Sequence, residues 1–306
     1  MVKPIDAAVT PVFEHARSAF RWACWSDVMV RKPGNVSIHS PGHAMQAEQF
    51  LTSAEASLPG LFARGAKVGA RIESAVRATR AAVACNTNLG ILLLCAPLAA
   101  AAERSPRSDC TTLLATLSAV LAELGIDDAR AAFRAIAEAN PGGLGKAAEQ
   151  DVGTEPDIGL VEAMALAADR DMIARQYANG FADLCGFGLD ALRTSQAMPG
   201  MSHALAVQRL YLGWLAREPD SHIARKFGVK AACGVSGEAR VWLQRLSAEA
   251  SAADSADFMR WDESLKTRGL NPGTSADLTV ATLFLAALCD PALCTEASGT
   301  DARGLL

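Results

Sequence analysis

Aromatic residues make up only 6% of this chain, with two tyrosines in 306 residues. Sheets draw on aromatic and β-branched side chains, so this scarcity argues against them, and the abundant Ala and Leu suit closely packed helices. An excess of one charge is also missing: 29 basic against 33 acidic residues leave a net charge of −4. A nucleic-acid role has no electrostatic support, and any anionic ligand needs a local site. The eight cysteines include no C-x-x-C pair, so neither a zinc site nor a disulfide framework is predicted. Cys95 and Cys289 lie in apolar runs and read as small buried hydrophobes of a reducing compartment. No charged segment followed by an apolar core and a small-residue cleavage site opens the sequence, so a secretory signal is not expected. The most apolar stretch, "LGILLLCAPLAAAA" (89–102), contains Pro97 and is shorter than the roughly 20 residues a bilayer requires. The expectation is a soluble, cytoplasmic protein without a membrane partner.

What the chain has in quantity is helical periodicity. In "TTLLATLSAVLAELG" (111–125) Leu113, Leu114, Leu117, Val120, Leu121 and Leu124 recur at intervals of three and four, and Gly125 closes the run. The same pattern predicts helices over roughly 5–28, 44–57, 60–83, 88–103, 127–139, 159–184, 200–217, 237–250, 254–268 and 275–288. No strand candidate alternates over a useful length, and no linker or repeat divides the chain. The prediction is all-α: a single compact multi-helix domain over 1–290 with a central apolar helix, followed by a tail at 291–306.

Polar junctions interrupt this pattern with a shared grammar: "RKPGNVS" (31–37), "NTNLG" (86–90), "NPGGLGK" (140–146) and "LNPGTSADL" (270–278). In the last, Thr274 and Asp277 match a capping box. Small residues Gly273, Ser275 and Ala276 beside Asn271 equally suit an anion site at a helix N-terminus, and Asp277 could bind a metal. One Asn caps a helix; Asn86, Thr87 and Asn88 together exceed that need. "NPGGLGK" is no phosphate loop, since Asn140 replaces the first Gly and Ala147 follows the lysine, although Lys146 with Glu149 and Asp151 offers what a magnesium-bound phosphate needs. His39 and His43 flank Pro41-Gly42, which forbids the helical spacing of a zinc pair, so a ligand-binding loop is the better reading. In "DRDMIARQYANG" (169–180) Asp171, Arg175 and Asn179 share one helix side. They form either an exposed ion pair or a phosphate contact oriented by Asp171. "PDSHIARKFG" (219–228) repeats the ingredients with Asp220, Arg225 and Lys226.

Taken together, "KPGNVS", "NTNLG", "NPGGLGK", "DRDMIARQYANGF", "DSHIARKFG" and "LNPGTSADL", in this order, resemble the triphosphoribosyl-dephospho-CoA synthase family from about residue 15 to 290. The resemblance implies an all-helical transferase that joins the triphosphate-bearing ribose of ATP to the ribose 2′-hydroxyl of dephospho-CoA and releases adenine. It implies ATP/phosphate contacts from Lys32, Gly34, Asn35, Thr87, Asn88, Gly90, Lys146, Arg175, Arg225, Lys226, Asn271, Gly273 and Ser275. Catalytic roles fall to Asp220, Asp277 and Asn86, and Asp220 and Asp277 are the expected Mg2+ ligands. A homodimer is a possible assembly for such a fold. The central motif departs from the Asn-Thr-His-Lys-Gly of citrate lyase members, because Asn88 and Leu89 replace the His-Lys pair. The "EQDVGTEPDIGL" region likewise replaces their Arg-Gly-Glu-Ala segment. The chain is therefore similar to a divergent branch, found in methanogens and methylotrophs and associated with one-carbon carriers. That leaves two alternatives open: an ATP/Mg-using transferase or kinase acting on a tetrahydromethanopterin- or methanofuran-type precursor, and a non-catalytic helical binding protein.

Overall fold

Helices form where apolar residues recur, and this computed structural model describes residues 11–105, 109–140 and 153–296. The first half contains α1 (Pro11–Met29), α2 (Ala47–Leu61), α3 (Val68–Val83), α4 (Leu89–Arg104), α5 (Cys110–Ala122) and α6 (Ile126–Ala139). The second contains α7 (Leu160–Ala165), α8 (Met172–Ala178), α9 (Leu189–Gln196), α10 (His203–Arg217), α11 (Ser221–Phe227), α12 (Val229–Ala248), α13 (Ala256–Thr267), α14 (Gly273–Cys289) and α15 (Ala292–Glu296). A π turn at Leu184–Gly188 precedes α9, and a 3₁₀ turn at Ala250–Asp254 precedes α13. Among the described residues no strand forms, only isolated bridges Ser37–Ser40 and Gly42–Met45 in the Pro-Gly loop after α1.

Two helices have no polar face, and the others wrap them. Every residue of α4 from Leu89 to Ala102 is buried, and α14 is buried from Leu278 to Leu288. A helix apolar on all sides belongs inside a domain, so the expected central helix at 88–103 has a partner, with α14 packed along it. Around this pair α1, α2, α3, α5, α6 and α8 complete the larger core. α10 faces both ways. Its Leu210 and Trp214 join the large core, while Tyr211, Leu212 and Leu215 join Trp242, Phe258 and Trp261 in a second core under α11 to α13.

Several boundaries differ from the periodicity. α2 continues through Pro59 and Gly60 to Leu61, because Gly60 lies so close to α3 that a Cβ would come 2.6 Å from the Ala75 backbone nitrogen. The helix expected over 159–184 is interrupted where Asp171 caps a new start and where Gly180 and Phe181 take positive φ. α9 and α11 are too short to carry a periodic signal of their own. The disulfide prediction is corrected outright. Cys110 and Cys289, 179 residues apart in sequence, are bonded and tie the start of α5 to the end of α14. Scattered spacing conceals such a pairing, because only tertiary packing brings two thiols 179 residues apart together. Among the described residues, no single helix is long and apolar enough to cross a membrane.

Candidate active site

The polar junctions converge. A cavity of about 640 Å³ is lined by the first residues of α4, α8, α11 and α14, together with Asp27, Asn35 and an apolar wall from Phe133, Ile136, Met164 and Ile173. That volume is ordinary for a small-molecule site. α4 and α14, at 16 and 17 residues, direct the positive ends of full-length helix dipoles into it, which favours anions without a large basic patch. Neither Asn88 nor Pro272 caps its helix with its own side chain. Asn86 Oδ1 accepts from the Leu89 amide at 3.2 Å and Asp220 from the Ser275 amide, and the capping box predicted from Thr274 and Asp277 does not form.

The first and last junctions lock together. Asn35 Nδ2 donates to Asn271 Oδ1 at 2.8 Å, and the Gly34 amide donates to Asp262 at 2.9 Å. Gly34 has φ +80°, and a Cβ there would lie 2.8 Å from the Leu270 carbonyl, so only glycine permits this approach.

Three carboxyls, Asp27 and Asp220 buried and Asp277 half-buried, have distinct surroundings. Asp220 Oδ1 accepts from the His222 and Ile223 amides, and its Oδ2 accepts from the Ser275 amide and hydroxyl, each at 2.8 Å. It thereby caps α11 and supports the first turn of α14. Asp27 Oδ2 accepts from Lys32 Nζ at 2.7 Å, while its Oδ1 is buried without a partner. Burial raises the Asp27 carboxyl above the usual carboxylate range and Lys32 pulls it back. Among the described residues Asp277 has no hydrogen-bond or ion-pair partner, and removal from water, with Asp220 and Asp27 adding repulsion, raises its carboxyl well above the usual range. It fits because position 90 is glycine: a Cβ there would land on the Asp277 carboxylate and 2.7 Å from Ile173 Cδ1.

The cavity also holds cations. Arg175 pairs with Asp183 at 3.0 Å and Glu218 at 3.3 Å, while Arg225 pairs with Asp171 at 2.6 Å and leaves its buried Nε without a partner. His222 lies on the same side of α11, its Nδ1 against Gly273 and its Nε2 buried and unpartnered. Burial, reinforced by Lys226, Arg225 and His43, pushes the His222 imidazole down to about 3, so it is neutral at physiological pH. Asn88 Nδ2 is a further buried orphan on this cavity. Orphaned polar atoms are scarce in folded proteins, so four residues of one cavity wall carrying them mark a surface built for a polar ligand.

Of the predicted residues, Asn35, Asn86, Thr87, Asn88, Gly90, Arg175, Arg225, Asn271, Gly273 and Asp277 line the cavity. Others do not. The phosphate role read for Lys32 is corrected: its ammonium is fully buried on Asp27 and the Asp27 and Val36 carbonyls. Gly34 and Ser275 act as packing and capping positions rather than as walls, and Lys226 is exposed outside the cavity. Asp220 has both oxygens engaged by protein donors, so pairing it with Asp277 as a metal site is corrected too. Among the described residues, no group of three or more His, Cys, Asp or Glu is placed to hold a metal ion. The remaining donors suit magnesium carried by a nucleotide, which keeps waters and takes one or two carboxylates alongside phosphate oxygens. Lys146, Glu149 and Asp151 lie outside the described residues. Sequence reasoning missed Asp27 and His222. Asp27 could have been found from its place in the last turn of α1, where an acid is unfavourable, five residues before Lys32.

Comparison with known proteins gives the family and the fold. Residues 13–295 match the family profile described as CitG, ATP:dephospho-CoA triphosphoribosyl transferase. A protein of Albidiferax ferrireducens, described as a candidate 2-(5''-triphosphoribosyl)-3'-dephosphocoenzyme-A synthase, is 33% identical over 110 residues; the aligned stretch is 36% of each chain. The crystal structure of an Archaeoglobus fulgidus protein, described as a candidate triphosphoribosyl-dephospho-CoA synthase, superposes with a TM-score of 0.61 at 23% identity, covering 78% of this chain and 99% of that one. At that identity the likeness is one of fold.

Proposed function

The chain belongs to the ATP:dephospho-CoA triphosphoribosyl transferase family, and from that premise we propose that it transfers the triphosphoribosyl group of ATP to the ribose 2′-hydroxyl of dephospho-CoA and releases adenine. The observation that carries this reading is the unpartnered Asp277 carboxyl, one turn inside α14, in a cavity shared with Arg175 and Arg225. Transfer at a glycosidic carbon needs a proton for the departing base and stabilisation of a positive ribosyl centre.

Both demands have a source in this chain. The starts of α4 and α14 and the two guanidiniums receive the triphosphate, whose magnesium ion enters with ATP as part of the substrate and offsets phosphate charge. Asp277, whose carboxyl is raised well above the usual range, gives its proton to adenine as the C1′–N9 bond breaks. The carboxylate left behind lies in the cavity as positive charge develops on the ribose. Neutral His222 offers Nε2 as a hydrogen-bonding group without adding a charge beside that centre. The apolar wall of Phe133, Ile136, Met164 and Ile173 suits the less polar parts of the two substrates.

The test is incubation with ATP, magnesium and dephospho-CoA, followed by chromatographic separation of adenine, ADP and AMP. Free adenine, formed in step with a triphosphate-bearing product, is expected. ADP in place of adenine would mean phosphoryl transfer and overturn the reading.

A further inference from the structure

Inversion or retention at a sugar carbon requires two proton-handling functions, and Asp277 supplies one. The acceptor hydroxyl must also lose a proton as it attacks. Paired carboxyls with different surroundings are the usual solution at such centres, one neutral and one ionised.

Asp27 has the surroundings of the second. It lies in the last turn of α1, where the helix dipole disfavours an anion, and it is almost wholly buried, which disfavours one again. A position that violates two local preferences is retained for function more often than for stability. Lys32 answers both penalties at once. Its fully buried ammonium reaches Asp27 Oδ2 at 2.7 Å, the Asp27 carbonyl at 2.9 Å and the Val36 carbonyl at 3.2 Å. This leaves Oδ1 as the unpaired, buried oxygen of a cation-clamped carboxylate, in a residue that lines the cavity that also holds Asp277.

Resting on the transferase reading above, we propose that Asp27, clamped by Lys32, is the base that takes the proton from the attacking 2′-hydroxyl. The bonds balance. The C1′–N9 bond breaks, its electron pair leaves with adenine, and adenine takes the Asp277 proton. The acceptor oxygen forms the new bond to C1′, and its proton passes to Asp27 Oδ1. The enzyme ends with Asp27 protonated and Asp277 ionised, and one proton moving from Asp27 to Asp277 through the emptied cavity restores the start. Lys32 is thereby a positioning residue that holds Asp27 Oδ2 and favours its ionised form against the larger effect of burial. Among the described residues the titratable groups that interact electrostatically with Asp27 are Lys32, which contacts it, Asp277, the Cys24 thiol and the Tyr211 hydroxyl.

The test measures adenine release against pH for the wild type, Asp27→Asn and Asp27→Glu, with a melting curve and MgATP titration for each. In Asp27→Asn the amide oxygen still accepts from Lys32 but the fully buried ammonium loses its counter-charge, so the melting temperature is expected to fall while the MgATP affinity of the folded protein changes little. The turnover number should fall by about 10²–10⁴-fold, and the loss of rate toward low pH, which reports protonation of the base, should disappear. A fall in rate that leaves that acidic limb in place would overturn the proposal. If Asp27→Asn fails to fold, Asp27→Glu decides: a lowered rate with a displaced acidic limb supports the base, and an unchanged rate and limb refute it. A wild type that releases no adenine sinks the transferase reading and this proposal with it. An active wild type with an insensitive Asp27 sinks this proposal alone.

Discussion

Two aspartates at two helix starts, Asp220 buried and Asp277 half-buried in the cavity, differ in the bonds they make. Asp220, before α11, accepts four hydrogen bonds and joins that helix to α14. Asp277, one turn into α14, accepts none and is separated from α4 only by the bare Gly90. Both belong to polar motifs in front of helices, and capping explains only one of them. A structural carboxylate has its bonds already, whereas a functional one waits for them in the substrate complex. The same contrast separates Lys32, which has three acceptors, from Arg225, whose Nε has none.

The sharpest way to break the comparison is to neutralise the unsatisfied member. Asp277→Asn keeps the shape and removes the transferable proton, so adenine release should fall by about 10²–10⁴-fold, as loss of an acid–base group does. MgATP binding should survive, since phosphate contacts lie elsewhere. A variant with near-normal turnover would show that Asp277 is a bystander.

Removing the satisfied member should act on the fold instead. Asp220→Ala strands three backbone amides and the Ser275 hydroxyl, which at the usual cost of a lost cap and unmet buried donors amounts to about 3 kcal/mol. Chemical denaturation should show a lower midpoint with an unchanged slope. If stability were untouched while activity vanished, the division of labour drawn here would be reversed.

The sequence shows this division only in part. Apolar periodicity locates the long helices, because α4 and α14 are buried nearly all round and their composition says so. The polar junctions are legible as a group, since their residues exceed what caps require, and most of them reach one cavity. Which of them is satisfied is not legible. Whether Lys32 meets a phosphate or Asp27 depends on how the Pro-Gly loop folds back over α1. Whether Asp220 or Asp277 is capped depends on which carboxylate reaches the Ser275 amide across the 55 residues that separate Asp220 from it. Gly90 and Gly273 carry the same lesson. Both read as phosphate contacts, whereas their lack of a side chain makes room for Asp277 and His222. The Cys110–Cys289 bond is equally non-local.

The finest test of the contrast uses stability against pH. Asp277 has a folded-state carboxyl raised well above its ordinary value by burial, so the native protein holds a proton that the unfolded chain releases near pH 4. Stability linked to this group is full below that pH and is lost as pH rises toward the raised folded value, at no more than about 1.4 kcal/mol per pH unit. Asn carries no such proton. Asp277→Asn and the wild type, both without ligand, should therefore have stabilities whose difference changes with pH, the variant gaining as pH rises from 5 to 8. Carboxyls remote from Asp277 titrate alike in the two proteins and cancel, so the difference reports Asp277 together with its repulsion of Asp220, Asp27 and Asp171. A constant gap would mean that Asp277 is solvated like a surface acid, and its bare surroundings would then have no catalytic meaning. A widening gap would show that the native protein tolerates an unsatisfied acid at a cost in stability, which is the signature expected of a group kept for its chemistry.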